Sequence, residues 1–137
     1  MKLKRISGVR ALFEIVDETG LSVFDLDAAK YNMPRAIKRQ LKSILIQICQ
    51  AIEASGTPAL IDYVENDLLK KIDKNQRAVD HNMWEVKSPA HGCRLFFIMD
   101  DNGNVIVSAV DKRSADESVQ DKAINRGLNR WEKILKN

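Results

Sequence analysis

Apolar and polar positions along residues 83 to 113 alternate in three short runs: Met-Trp-Glu-Val-Lys, Cys-Arg-Leu-Phe-Phe-Ile-Met and Val-Ile-Val-Ser-Ala-Val-Asp. Successive strand side chains point to opposite faces, so this alternation predicts three short antiparallel strands joined by two tight turns. Upstream the period changes. Pro34 suits a first helical turn, and Ile37, Leu41, Ile44, Leu45, Ile48 and Ile52 recur at three and four residues until Ser55-Gly56 supplies a left-handed stop. Thr57-Pro58 then opens a second predicted helix with Ile61, Val64, Leu68 and Ile72 on one side, which gives an antiparallel helix pair. Residues 11 to 17 alternate as a strand closed by Glu18-Thr19-Gly20. Residues 21 to 31 fit either a short helix capped by Ser22 or a hairpin partner running from Val23 to Leu26, and 73 to 82 read as a polar loop. Ser114 and Glu117 have capping-box spacing, followed by a helical stripe of Ile124, Leu128, Trp131 and Leu135, with Arg126, Arg130, Lys133 and Lys136 toward its end. The predicted order is strand, two-helix hairpin, three-stranded antiparallel sheet and C-terminal helix, a single α+β domain over residues 1–137.

Composition changes this picture little. The 137 residues are 45% hydrophobic, ordinary for a globular protein, and 22 basic against 19 acidic residues leave a net charge of +3. That excess is too small to hold nucleic acid nonspecifically, so any anion recognition must come from local clustering. Cys49 and Cys93 are too few for a disulfide framework and lack a paired zinc-ligand spacing; both read as small core residues. No run of about eighteen apolar residues is present, which sets the expectation of a cytoplasmic protein without a membrane partner.

The local cluster comes from strand register. A first hairpin turning through Pro89-Ala90-His91-Gly92 places Lys87 across from Arg94 and Glu85 across from Phe96, and it puts Trp84, Val86, Leu95, Phe97 and Met99 together on an apolar face that packs on the helices. Asn102-Gly103 has the signature of a type I′ turn, and counting back from it pairs Ile98 with Val107, Phe96 with Ala109 and Arg94 with Asp111. Arg113 then joins Lys87 and Arg94 around Phe96. Two readings of the cluster stay open: exposed ion pairs with Glu85 and Asp111, or a phosphodiester held by the cations with a base stacked on Phe96. A register slip of one residue would scatter it.

Taken in order, Leu-Phe-Glu-Ile-Val-Asp, the helix pair ending in Ser-Gly, Leu-Leu-Lys-Lys-Ile, Met-Trp-Glu-Val-Lys, Gly-Cys-Arg-Leu-Phe-Phe-Ile, Val-Asp-Lys-Arg-Ser and Ala-Ile-Asn-Arg-Gly-Leu-Asn-Arg-Trp give the chain a resemblance to the RelE/HigB superfamily of type II toxins, in particular its phage-derived branch. The resemblance implies a RelE-like fold and the toxin of a toxin-antitoxin system. Such a toxin is a ribosome-dependent mRNA endonuclease (mRNA interferase) that uses the RNA 2′-hydroxyl as nucleophile, and its partners are mRNA on the ribosome and a cognate antitoxin. It implies no metal and no other cofactor. Lys87, Arg94 and Arg113 fall where relatives place cations that hold and neutralise the scissile phosphate. Phe96 and Lys112 are assigned to substrate binding, although the register turns Lys112 away from the other three.

The chain departs from the family pattern at Glu85, where many relatives have a basic residue, and at the ends of the last helix, where it has Val119 and Trp131. No residue is thereby fixed as the general acid or base. His91 is the candidate, since an imidazole titrates near neutrality. Two other classes of function compete: a noncatalytic RNA- or protein-binding module on the same fold, and a regulatory partner that uses the two-helix surface with Arg35, Lys38, Arg39 and Lys42.

Overall fold

Residues 1–89, 92–114 and 118–137 are described by a computed structural model. The candidate base His91 and most of the capping box, residues 115 to 117, lie outside the described residues. Strands β1 (Lys2–Arg5), β2 (Leu12–Val16), β3 (Leu69–Lys71), β4 (Met83–Lys87), β5 (Cys93–Asp100) and β6 (Gly103–Asp111) form one six-stranded mixed sheet in the order β1-β2-β6-β5-β4-β3. Helices are α1 (Val23–Lys30), α2 (Arg35–Ser55), α3 (Leu60–Glu65), α4 (Gln76–Asp80) and α5 (Ser118–Lys136). The class is α+β, but the expected architecture of a two-helix hairpin beside a three-stranded antiparallel sheet does not hold.

The helix hairpin fails at its second arm. α2 forms as the apolar spacing demands, with Ile37, Leu41, Ile44, Leu45 and Ile48 buried, and ends at Gly56 with φ 76°. After a 3-10 turn at Thr57–Ala59, α3 lasts only to Glu65. The Asn66 side chain donates to the Asp62 carbonyl (2.7 Å), and Asp67 takes φ 57°, a conformation asparagine and aspartate tolerate best among residues with a Cβ. The chain then extends as β3, antiparallel to β4 with Leu69 opposite Val86. Ile61 and Val64 stay exposed while Leu69 and Ile72 are buried. The expected 73–82 loop contains α4, whose Asn75 cap accepts from the Ala78 amide (3.2 Å).

Both faces of the sheet are covered. Trp84, Val86, Leu95, Phe97 and Met99 share one face with α1 and α2, as the alternation predicts. The opposite face is apolar where α5 covers it, with Phe96, Ile98, Val105, Val107 and Val110 buried beneath Ile124, Leu128 and Trp131. That double coverage explains why β6 reads as a nearly unbroken buried run from Asn104 to Asp111. Gly127 permits the close approach of α5: a Cβ there would stand 2.7 Å from Val107 Cγ2 and 2.8 Å from Ser108 Oγ.

β6 has one incomplete neighbour. β2 runs parallel to it only from Leu12 to Glu14, opposite Asn104 to Ile106. Beyond that point α1 and α5 satisfy the exposed backbone with charge. Asp27 Oδ2 accepts from the Ala109 amide (3.0 Å), Arg130 donates to the Val107 carbonyl (2.9 Å), and Arg126 donates to the Ala109 carbonyl (3.1 Å). Both guanidinium groups also hold Asp27, Arg130 at 2.8 Å and Arg126 at 3.3 Å. Arg126 and Arg130, expected to sit at the end of α5 for its dipole, instead complete a strand edge.

Candidate functional site

The β4–β5 register is the predicted one, with Lys87 opposite Arg94 and Glu85 opposite Phe96. The β5–β6 register is not. The loop is Asp101-Asn102, neither residue has positive φ, and Gly103 already pairs with Asp100 at φ 142°. A Cβ at Gly103 would come within 2.9 Å of the Ala11 carbonyl oxygen, so the close passage of the chain ahead of β2 sets this turn. A bulge between Phe96 and Phe97 then offsets the strands again. Ile98 pairs with Val105, Phe96 with Ser108 and Arg94 with Val110. At the site end the net shift is one residue, which exchanges the faces of everything from Ser108 onward.

Three assigned residues change place as a result. Asp111 lies opposite Cys93 on the α2 face, and its carboxylate holds Arg113 there, with Oδ2 at 2.8 Å from a guanidinium nitrogen. Arg113 therefore does not join Lys87 and Arg94. Lys112, expected to point away, lines the same cleft as those two. Phe96 is wholly buried under α5 and presents no ring for a base to stack on.

The cleft, of about 310 Å³, lies on the α5 face over β3, β4 and β5 beside the first turns of α5. Lys70, Lys74, Lys87, Arg94 and Lys112 contribute cations to it, against Asp73, Glu85 and Asp121. Glu85 is nearly buried, 2% exposed, and is held from two sides: Arg94 Nε donates to Oε1 (3.2 Å) and Gln120 Nε2 donates to Oε2 (2.9 Å). Arg94 also donates to the Cys93 carbonyl (3.0 Å), so its guanidinium is fixed in the cleft wall. Lys87 Nζ lies 2.7 Å from Asp67 Oδ1, and this lysine holds the Asp67 carboxyl below its usual range. The expected exposed ion pairs of Glu85 and Asp111 are thus both formed by buried carboxylates.

Lys70, Lys74 and Gln120 were not legible as site residues, because a helix extended to Ile72 puts Lys70 on the wrong element. Cys49 and Cys93 are buried, and burial pushes both thiols up to about 11, which removes them as nucleophiles at neutral pH. Among the described residues no group of three His, Cys, Asp or Glu side chains is placed to hold a metal ion, and no helix is long and apolar enough to cross a membrane. Comparison with protein-family models, with curated proteins and with solved structures finds no match.

Proposed function

We propose that the cleft holds the backbone of single-stranded RNA and that the protein is a metal-independent endoribonuclease acting on mRNA in the ribosome, the toxin of a pair whose antitoxin restrains it. The observation carrying this reading is that the cross-strand pair Lys87 and Arg94 meets Lys70, Lys74 and Lys112 around one cleft. In such a cleavage RNA supplies both reacting groups. The 2′-hydroxyl gives up its proton to water and bonds to the adjacent phosphorus. The bond to the 5′-oxygen breaks, that oxygen takes up a proton from water, and the products carry a 2′,3′-cyclic phosphate and a 5′-hydroxyl. The protein's task is to place positive charge where the phosphoryl oxygens gain negative charge, and a guanidinium already locked by Glu85 and the Cys93 carbonyl needs little reorganisation to do so.

A second reading, a noncatalytic RNA-binding module, is favoured by a specific observation: Arg94 and Lys87 already have carboxylate partners in Glu85 and Asp67. The two separate on one experiment. Wild type and Arg94→Ala are incubated with a labelled mRNA on ribosomes kept intact in magnesium buffer. Cleavage with cyclic-phosphate ends, lost in the variant and blocked by a 2′-deoxy substitution, supports the nuclease. Salt-sensitive association with intact RNA supports the module, and neither binding nor cleavage overturns both.

A further inference from the structure

The two edges of the sheet differ. β3 is a three-residue edge, whereas β1 is a fully exposed strand, Lys2–Arg5, hydrogen-bonded on one side only. Exposed edges invite pairing, and proteins blunt them with bulges, prolines or charge. β1 has no bulge or proline; besides its shortness, four residues, it has only charge, and that is of one sign: Lys2, Lys4 and Arg5. None of the three has a carboxylate within ion-pair distance among the described residues, even though Glu14 lies directly across from Lys4. A second copy is a poor occupant, because antiparallel pairing of β1 with itself sets Lys2 against Arg5 and Lys4 beside both, and like charges opposed across strands are destabilising.

Charge alone does not account for what lies beside this edge. Leu3 faces the α5 side with Ile15, and there a groove of about 230 Å³ opens between strands and helix, lined by Leu3, Phe13, Val105, Trp131, Ile134 and Leu135. Leu3 is 39% and Leu135 56% exposed, so the groove mouth leaves one leucine of β1 and one of α5 in water. An edge meant only to repel strands has no need of them.

We propose that β1 is the docking edge for an extended acidic segment of a partner protein. The segment pairs as a seventh strand, sets carboxylates opposite Lys2 and Lys4 on one face, and sets an apolar side chain against Leu3 and Leu135 on the other. This proposal is independent of the cleft and of RNA cleavage.

The test uses the full chain and a fluorescent eight-residue peptide alternating glutamate with valine or leucine, followed by anisotropy. The acidic peptide binds, and a lysine-for-glutamate version does not. The K2E/K4E double variant weakens binding about tenfold or more, while Arg39→Glu, the same kind of charge change on α2, leaves it unchanged. Leu135→Glu weakens it severalfold. A peptide N-methylated at alternate amides, which keeps every charge but cannot form the ladder, loses binding. Absence of binding by the acidic peptide, equal binding by the methylated peptide, or binding that survives K2E/K4E would each overturn the proposal. So would a stable dimer in sedimentation that K2E/K4E disrupts, since the occupant would then be a second copy.

Discussion

Two nearly buried carboxylates, Asp27 and Glu85, are each gripped by arginine, yet they have different surroundings. Asp27 is enclosed by Arg126 and Arg130, and all three side chains also engage the backbone of Val107 or Ala109 on the uncovered stretch of β6. Glu85 meets Arg94 and Gln120 at the wall of a cleft, where Lys70, Lys87 and Lys112 add cations and, among the described residues, no second buried carboxylate lines the cleft to match them. The first arrangement spends its charge on the protein's own backbone; the second leaves a net positive surface facing water. Ion pairing alone therefore does not separate architecture from a site. What separates them is where the surrounding cations lie: both arginines about Asp27 are bonded to the backbone of β6, whereas Lys70, Lys74 and Lys112 line an open cleft beside Glu85.

The sharpest way to break this comparison is at Asp27. Asp27→Ala leaves two guanidinium groups around an emptied position and the Ala109 amide without its acceptor, and removing one partner of a buried pair costs about 3–5 kcal/mol. Urea unfolding should show that loss. A cost near zero would mean that water replaces the carboxylate and that the network is not what closes β6.

A second, smaller effect tests how α5 is seated, since α5 supplies residues to both carboxylates. Gly127→Ala adds a methyl within 2.8 Å of Val107 and Ser108, and overpacking of this kind costs about 1–3 kcal/mol, more than the gain in helix propensity of about 1 kcal/mol. A net stabilisation in thermal unfolding would show that α5 can lift from β6 at little cost, and that Ser108 Oγ donating to the Ala123 carbonyl (2.8 Å) does not fix it.

Much of this was legible in the chain, and the failures have identifiable causes. α2 follows from its spacing because a long amphipathic helix states its face many times over. β4 and β5 were placed correctly because Glu85, Lys87 and Arg94 interrupt an otherwise apolar alternation. The second arm of the helix hairpin failed because Leu68 and Ile72 continue a four-residue spacing by coincidence, while Asn66-Asp67 gives the backbone a local alternative that ends the helix. β1 was missed because four exposed residues carry no burial pattern. The site was half legible. Lys87 and Arg94 need only one hairpin turn to be placed, whereas Lys112 and Arg113 depend on a turn and a bulge together, and no local pattern records the register shift at Phe96/Phe97.

That parity difference gives a direct measurement. On single-stranded RNA binding, Lys112→Ala should weaken association severalfold and lower the salt dependence, because it removes one cleft cation. Arg113→Ala should change little, since its guanidinium is turned to the other face by Asp111. Equal losses from both would restore the three-cation arrangement expected from unbulged strands.

The smallest expected effect concerns the carboxylate that keeps Arg113 there. Arg113 donates to Asp111 from its side chain and its backbone amide, and these bonds hold the Asp111 carboxyl below its usual range. A carboxyl whose folded-state pKa is depressed binds fewer protons folded than unfolded. Its contribution is therefore present above the unfolded value of about 4 and is lost as pH falls through the lower folded value. Because Arg113 is half exposed, solvent screening limits the pair to about 1 kcal/mol or less. Stability measured between pH 6 and pH 3 should accordingly fall less steeply in Arg113→Ala than in wild type, with the two curves converging at the acid end. Parallel curves across the whole range would mean that Asp111 is held by its other contacts, and that Arg113 is carried on the α2 face by the backbone turn rather than by the ion pair.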